Sequence, residues 1–146
     1  MNGRLPDITI VRRLKAPPEK VYAAMTQVDK VLQWWGPDAG PAVRAELDLR
    51  PGGRYSIVFR LTDGSEHNPT GVYREVVPNE KLVFTWEWPG RPDWESLVTI
   101  RLRPIDIGTE LTLTHEKLPN DEAIESHRAG WTGWAGELET YLEDGK

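Results

Sequence analysis

The sequence predicts an α+β fold: a curved antiparallel sheet of six to seven strands wrapped around a long C-terminal helix, with two short helices after the first strand. Three observations carry this. Between Val43 and His115 apolar and polar residues alternate with a period of two, interrupted by turn residues at hairpin spacing. Past Glu116 the apolar period lengthens to that of a helix, through His127, Trp131, Trp134, Leu138 and Tyr141. An apolar concave sheet face must be covered, and the C-terminal helix is the one long element that can cover it.

Each element has a local reason. Ile8 to Leu14 is β-rich and forms the first strand, stopped by Ala16-Pro17-Pro18. Pro18 suits the first turn of a helix, where its missing N–H costs nothing, and Glu19 favours the N-terminal end of the helix dipole. Val21, Tyr22 and Met25 give that helix one apolar face. Asp29 is a cap for a second short helix, Lys30 to Trp35, ended by Gly36-Pro37. Val43, Ala45, Leu47 and Leu49 then alternate with charged residues, and Pro51-Gly52-Gly53 turns the chain into Tyr55, Ile57, Phe59 and Leu61. Thr62-Asp63-Gly64-Ser65 is a turn, Thr70 to Val77 a strand. Leu82, Phe84, Trp86 and Trp88 share one face of the next strand. Pro89-Gly90-Arg91-Pro92-Asp93 reads as a turn, and Asp106-Ile107-Gly108 closes a hairpin between Val98-Ile100-Leu102 and Leu111-Leu113-His115. The last helix starts at Asn120 or Asp121 and ends at Asp144-Gly145. Of its glycines, Gly130 can permit close approach of helix to sheet or soften the helix at a mouth.

The chain has 146 residues, a formal charge of −5 and 38% hydrophobic residues, which describes an ordinary globular chain and one expected domain over residues 1–146. Cysteine is absent, which excludes disulfides, thiolate catalysis and Cys-based zinc sites and suits a cytoplasmic location. The longest apolar run, Val21 to Met25, is too short to span a membrane, and the N-terminus does not read as a secretory signal. An acidic chain with scattered Lys and Arg argues against nucleic acid as a partner. Thirteen Gly and 12 Pro imply many turns, and seven Trp imply a wide core or a lined cavity.

Several stretches in this order resemble a family signature: Ala16-Pro17-Pro18-Glu19-Lys20-Val21-Tyr22, Gln33-Trp34-Trp35-Gly36-Pro37, Asp48-Leu49-Arg50-Pro51-Gly52-Gly53-Arg54-Tyr55, Val77-Pro78-Asn79-Glu80-Lys81-Leu82, Leu111-Thr112-Leu113-Thr114-His115-Glu116 and His127-Arg128-Ala129-Gly130-Trp131-Thr132-Gly133-Trp134. Over roughly Ile8 to Leu142 the chain is similar to the family named for the C-terminal domain of the activator of heat-shock-protein-90 ATPase. That family lies in the START-like (SRPBCC, helix-grip) superfamily. The resemblance implies the helix-grip fold. Superfamily cousins bind lipids, sterols or polyketides, and a few are cyclases or dehydratases. Co-chaperone members carry a further N-terminal domain for which 146 residues leave no room.

The candidate cavity residues are Trp34, Trp35, Phe59, Tyr73, Phe84, Trp86, His127 and Trp131. His127 lies on the apolar stripe one turn before Trp131, either as a polar group orienting a ligand or as a core histidine bonded to a backbone carbonyl. Trp34 and Trp35 point about 100° apart on a helix, so both are buried only if it is wrapped on two sides, as a core plug or a cavity gate. His115-Glu116 begins a zinc-protease-like pattern, but Pro119 stands where its second histidine is needed, so no metal is expected. No nucleophile elbow, phosphate loop or dinucleotide fingerprint occurs, and no cofactor or catalytic residue is assigned. Three function classes stay open: a binding protein for a hydrophobic or amphipathic small molecule, which leads; a chaperone-ATPase-activator-like interaction module; and a cyclase- or hydrolase-type enzyme using the same cavity. An exposed sheet edge would permit a homodimer.

Overall fold

The computed structural model describes residues 6–37 and 42–143. Its elements run β1 (Ile8–Leu14), α1 (Pro18–Thr26), α2 (Val28–Trp34), β2 (Ala42–Leu47), β3 (Arg54–Arg60), β4 (Glu66–His67), β5 (Thr70–Val77), β6 (Lys81–Trp88), β7 (Arg91–Ile105), β8 (Gly108–Glu116) and α3 (Asp121–Glu143). Seven strands form one strongly curled sheet in the order β1-β8-β7-β6-β5-β3-β2, with the two-residue β4 paired to β3 off that path. All pairings are antiparallel, as the hairpin-length loops predict. The concave face buries Ile57, Phe84, Trp86, Ile100, Leu111 and Leu113 against Trp131, Trp134, Leu138 and Tyr141 of α3.

Local chemistry explains the ends. Pro18 opens α1, and Val21, Tyr22, Ala24 and Met25 are its buried face. The Asn120 side chain accepts the Ala123 N–H at 2.8 Å and so caps α3. Asn79 takes a positive φ after Pro78, which suits its place in the turn between β5 and β6. The Trp34 indole donates to the Ala24 carbonyl at 2.9 Å and pins α2 on α1.

The structure corrects four expectations, the first of them both ends of α2. α2 begins at Val28, not Lys30, and Gln27 rather than Asp29 precedes it, with no side-chain cap. Trp35 has left the helix and closes it through its N–H to the Val31 carbonyl. Val43 is exposed rather than core-facing, because a register shift between Ala42 and Arg44 breaks the alternation of β2. The turn after β6 is shorter than Pro89–Asp93: Trp88 pairs with Arg91, so Pro89-Gly90 suffices and β7 already runs from Arg91. The expected α3 end at Asp144-Gly145 lies outside the described residues.

The fourth correction concerns the helix glycines. Close approach occurs at Gly133, not Gly130, and its neighbour is the segment after α2 rather than the sheet. A Cβ on Gly133 would stand 1.8 Å from the Pro37 carbonyl oxygen, while one on Gly136 would meet nothing within 4 Å. Gly133→Ala is therefore expected to destabilise by about 1–3 kcal/mol through overpacking. Gly136→Ala should stabilise by up to about 1 kcal/mol through helix propensity alone. Urea denaturation of the two variants beside the parent checks the contrast, and equal effects would refute it.

Candidate functional site

Between α3 and one end of the sheet lies a pocket of about 430 Å³. β6 supplies Trp86 and Trp88 to its wall, and the β3 end with its following turn supplies Phe59 and Leu61. His67 comes from β4, and Trp35, Gly36 and Pro37 come from the exit of α2. α3 contributes Ser126, His127, Gly130, Trp131 and Trp134. The register of β6 against β7 shifts between Trp86 and Trp88, and both residues border the pocket. None of the described lining residues is Lys, Arg, Asp or Glu.

Two histidines organise the wall from behind. His115 on β8 is fully buried. The Trp131 indole donates to its Nδ1 at 2.8 Å, and its Nε2 lies 2.7 Å from the Ser96 hydroxyl. An indole can only donate, so Nδ1 carries no proton and Nε2–H faces Ser96. Ser96 in turn donates to the Trp86 carbonyl at 3.3 Å. His127 has the opposite tautomer: its Nε2 accepts the Trp88 indole N–H at 2.9 Å, which leaves Nδ1–H to donate to the Ala123 carbonyl at 2.7 Å. The two imidazoles meet edge to face at 5.1 Å between ring centroids. Burial lowers the His115 pKa to about 3, with the neighbouring His127 adding to the effect, and burial lowers that of His127 also. Both rings are therefore neutral at pH 7.

Of the residues singled out in the sequence, the structure brings Trp35, Phe59, Trp86, His127 and Trp131 together around this pocket. Trp34 stands behind them, packed on Trp134 at 5.2 Å and near Tyr141. Tyr73 and Phe84 border a separate space of about 10 Å³ with Met25, Tyr55, Ile57, Leu82 and Ile100, and Trp35 stands between the two spaces and borders both. The tryptophan pair thus divides, with one indole in the core and the other at the pocket. His127 meets the carbonyl of Ala123 and also lines the pocket, so its two readings coincide. Missed were His67, Trp88, Trp134 and the supporting His115. Trp88, Trp134 and His115 lie on the apolar faces already read from the periodicity, so that signal was available. His67 sits on a two-residue strand that no pattern marks.

A curled sheet gripping one long helix, with an aromatic pocket between them, defines a helix-grip protein. A family model described as Activator of Hsp90 ATPase homolog 1-like protein matches residues 15–143, and the chain belongs to that family. Among solved structures, it is similar to the AHSA1 protein from Silicibacter pomeroyi, with a TM-score of 0.85 at 29% identity over 97% of this chain and 100% of that one. A protein from Chromobacterium violaceum gives 0.81 at 29% over 93% and 96%. The AHSA1-like protein from Aeromonas hydrophila gives 0.83 at 21% over 96% and 94%, a likeness of fold alone. No curated protein matches the sequence. Among the described residues no group of three or more His, Cys, Asp or Glu is placed to hold a metal, and no helix is long and apolar enough to cross a membrane.

Two outcomes follow from the buried histidine pair. Protonation in the unfolded chain near pH 6.5 is not matched in the folded chain until about pH 3 for His115. Stability should therefore fall as pH drops from about 6.5, with His115 contributing a slope approaching about 1.4 kcal/mol per pH unit and His127 adding in the same direction. Urea midpoints at pH 7.5, 6 and 5 check this, and His115→Gln should flatten the slope. Trp131→Ala removes the ring held by His115 and is expected to cost about 3–5 kcal/mol. A loss below 1 kcal/mol in the same assay would contradict its place in the core.

Proposed function

We propose that the protein binds a hydrophobic or amphipathic small molecule in the pocket between the sheet and α3. The observation that carries this reading is the pocket itself: about 430 Å³, bordered by five indoles and one phenyl ring, with no charged residue among its described lining. Its size lies in the range of small-molecule sites, roughly 300–1,000 Å³. Trp35, Phe59, Trp86 and Trp131 form the apolar walls. His127 holds Trp88 at the half-buried rim through the indole–imidazole hydrogen bond, so a ligand with its own donor competes with Trp88 for His127 Nε2. Burying apolar ligand surface here is worth roughly 25 cal/mol per Å².

The experiment is quenching of intrinsic tryptophan fluorescence by apolar probes, beside native mass spectrometry of the purified protein for a co-purified molecule. Gly130 borders the pocket, and a Cβ there would lie 3.8 Å from the Pro37 side chain, in ordinary van der Waals contact. Gly130→Leu should therefore fill the mouth, weaken probe binding at least tenfold and leave the melting temperature level or higher. No quenching at the solubility limit of the probes would overturn the reading. The family description favours a second one, a module that acts on a chaperone ATPase. Co-purification with such a chaperone and a changed ATPase rate, unaffected by Gly130→Leu, would support it.

A further inference from the structure

The polar atoms around the pocket narrow the ligand class, an inference that rests on the small-molecule reading above. Trp86, Trp131 and Trp134 form a row of indoles, with ring centroids 4.8 and 5.3 Å apart. The middle ring spends its N–H on His115. The outer two do not: Nε1 of Trp86 and Nε1 of Trp134 are buried and have no hydrogen-bond partner among the described residues, though both residues border the pocket and are at most 4% exposed. Buried indole N–H groups ordinarily find an acceptor, and leaving one unpaired is costly. The acceptor side is different. Nε2 of His127 already takes the Trp88 N–H, and the unprotonated nitrogen of His115 takes that of Trp131. The indole donors of Trp86 and Trp134 thus stand unpaired among the described residues, where the acceptor nitrogens of His127 and His115 are already taken. No cation among the described lining residues offsets an ionised group, so burying a carboxylate or phosphate there is penalised.

We propose that the ligand is an uncharged, ring-sized apolar molecule carrying a carbonyl-type acceptor, and that the indole N–H groups of Trp86 and Trp134 recognise that acceptor. Both nitrogens lie beneath the wall surface rather than on it, so entry turns the indoles outward. Each has a neighbouring ring with which to move: Trp88 stands 5.6 Å from Trp86, and Trp35 stands 5.4 Å from Trp134. Recognition by induced fit follows, with the two indole N–H groups as its reporters.

Three probes of one shape test this on the intact protein: 2-acetylnaphthalene, 2-isopropenylnaphthalene and 2-naphthoate. Affinity is read by titration calorimetry. Indole N–H resonances are followed in nitrogen-15 spectra and assigned with Trp86→Phe and Trp134→Phe. The ketone should bind at least tenfold more tightly than both the alkene and the anion, and should move the Trp86 or Trp134 N–H signal downfield. The corresponding Phe variant should bring the ketone down to the affinity of the alkene. A ketone-to-alkene preference below tenfold, or tightest binding by naphthoate, overturns the acceptor proposal and leaves the cavity reading standing. Failure of all three to bind overturns both. The comparison among probes is made on the parent chain, so it holds even where a Phe variant does not fold.

Discussion

The hydrogen bond from the Trp131 indole to the buried His115 ring fixes where the last helix sits. A helix laid on a curved apolar face can roll or slide with little change in buried area, because the hydrophobic effect is non-directional. One directional bond between the middle of α3 and β8 removes that freedom. With α3 so held, Trp134 faces Trp34 and Trp35, and Gly133 passes against the Pro37 carbonyl. The Arg12–Glu139 pair, 2.7 Å and half-exposed, ties the C-terminal half of α3 to β1. Surface pairs of this kind contribute little, so it trims a position that the core has already set.

The His115 bond in turn depends on a chain of partners. Ser96 takes the second imidazole nitrogen, which selects the tautomer that can accept from Trp131. Ser96 reaches the Trp86 carbonyl, so the same chain runs back into the strand that forms the pocket wall. A fully paired buried network of this kind specifies one arrangement, whereas a half-paired one would be worse than an apolar core. The neutrality of both histidines belongs to the same design. An imidazolium at His115 would lose its acceptor role toward Trp131 and carry a buried charge.

Much of the fold was legible because each element is signalled locally. Period two marks the strands, period 3.6 marks α3, and Pro17-Pro18 and Asn120 mark helix starts. What escaped the sequence are features set by pairs of distant residues. Val43 keeps the alternation in the sequence, yet a register shift against β3 turns it outward. Gly133 and Gly130 look alike on paper, and only the passage of Pro37 across α3 separates them. The pocket was legible as a surplus of aromatic residues. Its membership was not, since Trp86 and Phe84 share one strand face but lie toward different spaces. Trp34 and Trp35 were separable only once the helix was seen to end between them.

The contrast between those two spaces explains why one end of the grip is hollow. Around Tyr55, Tyr73 and Phe84 the rings are interleaved with Met25, Ile57, Leu82 and Ile100, and about 10 Å³ is left. Flexible and branched chains fill the angular gaps that edge-to-face rings leave between them. At the other end the rings of Trp35, Trp86, Trp131 and Trp134 meet Gly36, Pro37 and Gly130 instead, residues with little or no side chain to offer. Indoles packed on one another at 4.8 to 5.4 Å, tilted or edge to face, leave the gap between them and the small residues unfilled. Among the described lining residues Leu61 alone supplies an open aliphatic chain, from the half-buried rim. The hollow is thus a product of composition as much as of topology. A large aliphatic side chain at position 130 would narrow it from the helix side, since a Cβ there meets the Pro37 side chain at 3.8 Å and neither the sheet nor the histidine chain.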